Sequence, residues 1–116
     1  MLMTIKLVYN SLLTNELDPS SLTKELEGYP VSLEFYDEDI FSDKRKARQI
    51  KSSFGARLVP FVAVYENKKG IKGFYSEVNE CNINNIVNYV KDKTPCTISD
   101  STSSIDVKDN GNKTDV

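Results

Sequence analysis

The chain has 116 residues, 39% of them apolar, with 15 Lys and Arg against 17 Asp and Glu and no His. That is the composition of an ordinary soluble single domain, and it excludes a two-domain enzyme. With no imidazole and only Cys81 and Cys96, the chain cannot build a nitrogen–sulfur zinc site, a four-cysteine iron–sulfur cluster or histidine acid–base chemistry, so neither metal nor cofactor is expected.

A formal charge of −2 supplies no basic field, which disfavours nucleic acid as a partner. The apolar run within residues 1–9 is too short for a signal-peptide core and is broken by Lys6. No stretch approaches the ~20 apolar residues that cross a bilayer. The expectation is a cytoplasmic protein, or one of host cytoplasm or virion if its source is viral, with free thiols and no membrane contact.

Residues 4–9 (T-I-K-L-V-Y) are β-branched and apolar and read as a buried strand. Residues 11–28 carry Leu12, Leu13, Leu17, Leu22 and Leu26 at helical steps, with Gly28 as a stop. Pro19 interrupts that pattern, predicting either a kink or a fresh start capped by Asp18. Residues 31–36 (V-S-L-E-F-Y) alternate as a second strand, ended by Asp37, Glu38 and Asp39.

A helix is expected over residues 42–54, capped by Ser42 or Asp43. Ala47, Ile50 and Phe54 fall on its inner face, Gly55 stops it, and Lys44, Arg45, Lys46, Arg48 and Lys51 form its outer face. Residues 58–65 (L-V-P-F-V-A-V-Y) are the most apolar run. A polar turn at 66–70 and a strand over 71–75 complete a hairpin. Ile83, Ile86, Val87 and Val90 mark a third helix, with Asn79 as its expected cap. The order β-α-β-α-β-β-α predicts an α/β fold: a mixed four-stranded sheet, parallel in its first pair and antiparallel in its closing hairpin, flanked by three helices. The domain is placed at 1–93.

Residues 94–116 hold four Ser, four Thr, four Asp and no aromatic, and cannot build a core. The expectation is a polar tail, solvated or ordered along a partner. It carries all of the net charge, leaving 1–93 balanced.

The pairs Phe54-Gly55 and Val59-Pro60, followed by a turn containing Gly70 and a strand with Gly73 near its end, occur in an order that resembles the second half of a thioredoxin-like domain. The resemblance covers residues 4–91 and the minimal, glutaredoxin-like size. It implies that Pro60 takes the family's cis-proline position. In that family a proline follows the first active-site cysteine by eight positions, and here Pro19 follows Ser11 by eight. Ser11, Leu12, Leu13 and Thr14 therefore stand where the family has Cys-x-x-Cys.

Hydroxyls cannot exchange disulfides, so the resemblance implies a non-enzymatic, redox-inactive module. Ser11 and Thr14 are expected to satisfy N–H groups at a helix start. Ser11, Leu12, Leu13, Thr14, Val59 and Pro60 are the candidate binding residues, with Leu12 and Leu13 forming an apolar lip beside Val59 and Pro60 that takes a protein partner by edge pairing. Two alternatives remain: a structural or auxiliary subunit of a larger assembly such as a virus particle, and an atypical redox protein using Cys81 or Cys96. The family layout places the helix after Cys81 away from the Pro60 loop.

Overall fold

The computed structural model describes residues 3–13 and 17–94. Strand β1 (Met3–Tyr9) is followed by α1 (Pro19–Glu25), β2 (Val31–Asp37), α2 (Phe41–Phe54), β3 (Phe61–Glu66), β4 (Lys69–Phe74), a short 3-10 turn at Ser76–Val78, and α3 (Ile83–Lys93). The strand order is β2-β1-β3-β4. β1 runs parallel to β2 with Tyr9 opposite Asp37, and antiparallel to β3 with Val8 opposite Phe61. β3 and β4 pair antiparallel, Val62 opposite Phe74, with a bulge at Val64/Tyr65. The expected mixed sheet with three helices is thus the observed architecture.

Alternation along the strands sends side chains into two cores. Met3, Ile5 and Leu7 of β1 and Val62 and Val64 of β3 pack with Leu17, Leu22, Leu26, Phe74, Ile86 and Val90, on the face covered by α1 and α3. Val8, Phe61 and Ala63 face the opposite way, onto Ala47, Ile50 and Ala56. β3 contributes to both, which is why it reads as an unbroken apolar run. The far half of β1 on the α2 side is closed differently: Lys6 lies over the Tyr65 ring, 4.7 Å from its centroid, and reaches Glu34 at 3.6 Å.

Phe54 anchors the end of α2. Its ring meets Phe61 at 5.5 Å and Tyr65 at 5.7 Å, and the Tyr75 hydroxyl donates to the Phe54 carbonyl at 2.7 Å. The ring comes close against β4 at two positions that have no side chain: a Cβ on Gly70 would stand 2.7 Å from Phe54 Cζ, and one on Gly73 would stand 3.1 Å from Phe54 Cδ2.

Several local expectations are settled or corrected. Of the two expectations for the pattern interrupted by Pro19, the fresh start is the one observed: α1 begins at Pro19, with Asp18 as cap accepting from the Ser21 N–H at 2.8 Å. Proline fits the first helical position, where its missing donor costs nothing, and it bars the preceding residue from helical geometry. Neither Ser42 nor Asp43 caps α2; its N-cap is Ile40, without a side-chain bond, because Asp43 Oδ2 instead accepts from the Asp37 N–H. Asn82, not Asn79, caps α3 by accepting from the Asn85 N–H, while Asn79 adopts the left-handed conformation that ends the 3-10 turn. β3 starts at Phe61 rather than at Leu58, since Pro60 has no N–H to offer a ladder. Asn67 and Lys68 both have positive φ, which tightens the β3–β4 connection to two residues.

Candidate functional site

The carboxyl ends of the parallel strands β1 and β2, the start of β3 and the end of β4 share one edge of the sheet, as the pairs Tyr9/Asp37, Val8/Phe61 and Val62/Phe74 require. Every candidate binding residue among the described ones lies at that end. Ser11, Leu12 and Leu13 form a turn directly after β1, closed by the Leu13 N–H donating to the Asn10 carbonyl at 3.0 Å. Thr14, like Cys96, lies outside the described residues.

This turn is held by the loop after β2. Asp37 closes β2, only 1% exposed, and its Oδ1 accepts from the Ser11 N–H at 3.2 Å and the Asp39 N–H at 2.9 Å. Burial pushes the Asp37 carboxyl up, but bonds from the Ser11 hydroxyl, the Asp39 N–H and the Ser11 N–H outweigh it and hold the group below its ordinary value. Asn10 adds a second tie: its Oδ1 accepts from the Leu12 N–H at 2.9 Å while its Nδ2 donates to Glu38 at 3.2 Å. Glu38 in turn pairs with Lys51 of α2 at 2.9 Å.

Ser11 therefore does not satisfy a helix start. Its donors are spent on Asp37, and the early N–H groups that a helix from residue 11 would leave open are committed to loop acceptors. The consequence for shape is that Leu12 is left 74% exposed and Leu13 53% exposed.

On the other side of β1, the Val59–Pro60 peptide bond is cis. Val59 is half-buried against the α2-side core. The link before it is fastened by Glu77, whose Oε2 accepts from the Arg57 N–H at 2.6 Å and whose carboxyl is drawn below its ordinary value, chiefly by that bond. The Ser76 hydroxyl donates to the Pro60 carbonyl.

Pro60 lines a cavity of about 350 Å³ with Leu17, Ser76, Asn79, Cys81, Asn82 and Ile83. Leu17 is the residue from the segment after β1 that joins Pro60 in this wall. One expectation changes here. Cys81 is not remote from the Pro60 loop; it shares the cavity, because the 3-10 turn folds the chain back before α3 starts. Burial pushes the Cys81 thiol up to about 12, against weaker opposing contacts from the Ser76 hydroxyl and the Val62 backbone. A thiol so placed supplies little thiolate near neutral pH.

Sequence reasoning missed Asn10, Asp37, Glu38, Leu17, Ser76 and Glu77 as builders of this end. Asp37 and Glu38 gave a signal only as acidic residues ending the alternating pattern of 31–36. Among the described residues no group of three or more His, Cys, Asp or Glu could hold a metal ion, and no helix is long and apolar enough to cross a membrane.

No protein-family model matches the chain, and no curated protein matches it. Among solved structures it is similar to a mutant thioredoxin from Halobacterium salinarum, with a TM-score of 0.53 and 11% sequence identity over 79% of this chain and 74% of that one. Strand order, helix placement and this structural match together identify the fold of the chain as thioredoxin-like.

Proposed function

We propose that the chain is a redox-inactive, thioredoxin-like protein-binding module rather than an enzyme, and that it binds through Ser11, Leu12 and Leu13 together with Val59 and Pro60. One observation carries the reading. The large apolar side chains most exposed among the described residues are Leu12, Leu13, Ile40, Phe41, Leu58 and Val78, and each falls in a segment that enters or leaves the same edge of the sheet. Such a gathering of apolar surface at one end of a small domain is the usual mark of an interaction site. The hydroxyl of Ser11 where relatives have sulfur, and the protonated thiol of Cys81, support binding without electron exchange.

Two measurements test the reading. In an insulin-reduction assay with dithiothreitol the chain is expected to add nothing to the background rate; acceleration that disappears on Cys81→Ser and Cys96→Ser would refute redox inactivity. In a pull-down from the native source, a protein captured by the wild type is expected to be lost on Leu12→Asp with Leu58→Asp, and retained on Lys68→Asp at the opposite end of the sheet. Equal capture by all three refutes the proposed surface.

A further inference from the structure

Lys44, Arg45, Lys46 and Arg48 project from the exposed surface of α2, and none has an ion-pair partner among the described residues; the fifth cation of this face, Lys51, is taken by Glu38. At the head of the same helix stands Phe41, 93% exposed, next to exposed Ile40. Helical spacing stacks Phe41, Lys44, Arg45 and Arg48 on one side, since residues three and four apart are neighbours, while Lys46 points elsewhere. Phe41, Lys44, Arg45 and Arg48 line one pocket of about 440 Å³ with Ser42, and Arg48 continues into two adjoining depressions, one with Arg45 and Gln49, the other with Lys44 and Glu38. Guanidinium groups gathered around an uncovered aromatic ring offer positive charge and apolar contact at one place.

Building on the binding reading above, we infer that the partner is an acidic segment of another protein. An apolar side chain of that segment seats on Phe41, and its carboxylates are held by Arg45 and Arg48. Charge complementarity selects this occupant: the planar guanidinium fork matches a carboxylate with two parallel bonds. A nucleic acid strand suits the face less well, because the carboxylates of Glu38 and Asp39 line the depression that Lys44 and Arg48 share, and a continuous phosphate chain crossing it would meet them. A carboxylate segment places its charges singly and avoids them.

The test uses three probes on the full chain: a labelled peptide with a Leu–Phe pair between runs of Glu, its twin with every Glu replaced by Gln, and an oligothymidylate of matching charge. The acidic peptide is expected to bind, the Gln twin to bind about tenfold or more weakly, and the affinity for the acidic peptide to fall as salt rises. Arg45→Glu with Arg48→Glu is expected to abolish the difference between the two peptides, and Phe41→Ala to weaken the acidic peptide; these exposed positions leave the thermal unfolding temperature nearly unchanged, which serves as the folding control. Equal binding of the two peptides overturns the inference, as does tighter binding of the oligothymidylate. Failure of the binding reading is separately visible: a natural partner lost on Leu12→Asp with Leu58→Asp but kept on Arg45→Glu with Arg48→Glu retains that reading and removes this one.

Discussion

Phe54 and the two glycines beneath it allow a direct test of how the α2-side core is built. An alanine at position 70 places its methyl 2.7 Å from Phe54 Cζ, about an ångström inside ordinary carbon–carbon contact. The ring cannot retreat freely, because it is braced by Phe61 and Tyr65. Either the methyl is accommodated by strain, costing about 1–3 kcal/mol, or the ring swings out and forfeits two aromatic contacts worth about 0.5–1.5 kcal/mol each. Against this stands a gain of about 0.4–1 kcal/mol from the stiffer unfolded chain, since Gly70 does not have positive φ. Gly70→Ala alone is therefore expected to destabilise by about 1 kcal/mol. In a Phe54→Ala background the clash is gone, and the same change is expected to be neutral or slightly stabilising. A double-mutant cycle from denaturant unfolding midpoints at constant m reads the coupling, about 1–2 kcal/mol. Additivity of the two changes to within about 0.5 kcal/mol would refute the packing argument.

Asp37→Asn is expected to lower stability at neutral pH and to loosen the turn holding Leu12. Because the folded carboxyl titrates below its unfolded value of about 3.9, the wild type keeps this contribution above that pH and loses it as pH falls through the folded value. The gap between the two proteins in acid unfolding should therefore close below about pH 4, and a gap that widens there contradicts the assignment. In a Cys96→Ser variant, Cys81 is expected to react with iodoacetamide at about pH 8 at least roughly a hundredfold more slowly than glutathione, given its raised pKa; an equal rate would show an available thiolate. Glu77→Ala is expected to leave α3 intact but to speed hydrogen exchange at the Arg57 amide, which loses its acceptor; unchanged exchange there would show that Glu77 does not fasten the link to Pro60.

The sheet was legible because its signals are collective. The apolar runs at 4–9 and 58–65 and the alternation at 31–36 each sum several residues, and α3 repeated its spacing over two turns. The Phe54-Gly55 pair and the glycines of β4 could be recognised as a pattern, while their cause, one ring lying on two side-chain-free positions, emerged only from the packing. The end of the sheet was poorly legible because it is assembled from single contacts across the chain. Asp37 read as a strand terminator, yet it binds Ser11, 26 positions earlier. Leucines at helical spacing from residue 12 left a kinked helix open beside a fresh start at Asp18; the pattern could not reveal that Asn10 and Asp37 capture the N–H groups of Leu12 and Ser11. Cys81 was misplaced for a similar reason, since a three-residue 3-10 turn carries no periodicity to announce it.

The strand order leaves β2 and β4 as margins, each with one row of backbone groups open to further pairing. Neither margin is inviting to a stray strand. β4 is bulged and carries Lys69 and Lys72, the latter folded over the Phe74 ring at 5.2 Å. β2 is entered from Pro30 and bears Glu34 within reach of Lys6. Sheet growth from one molecule to the next is thereby discouraged at both margins, even though Leu12, Phe41 and Leu58 stand uncovered at one end of the strands.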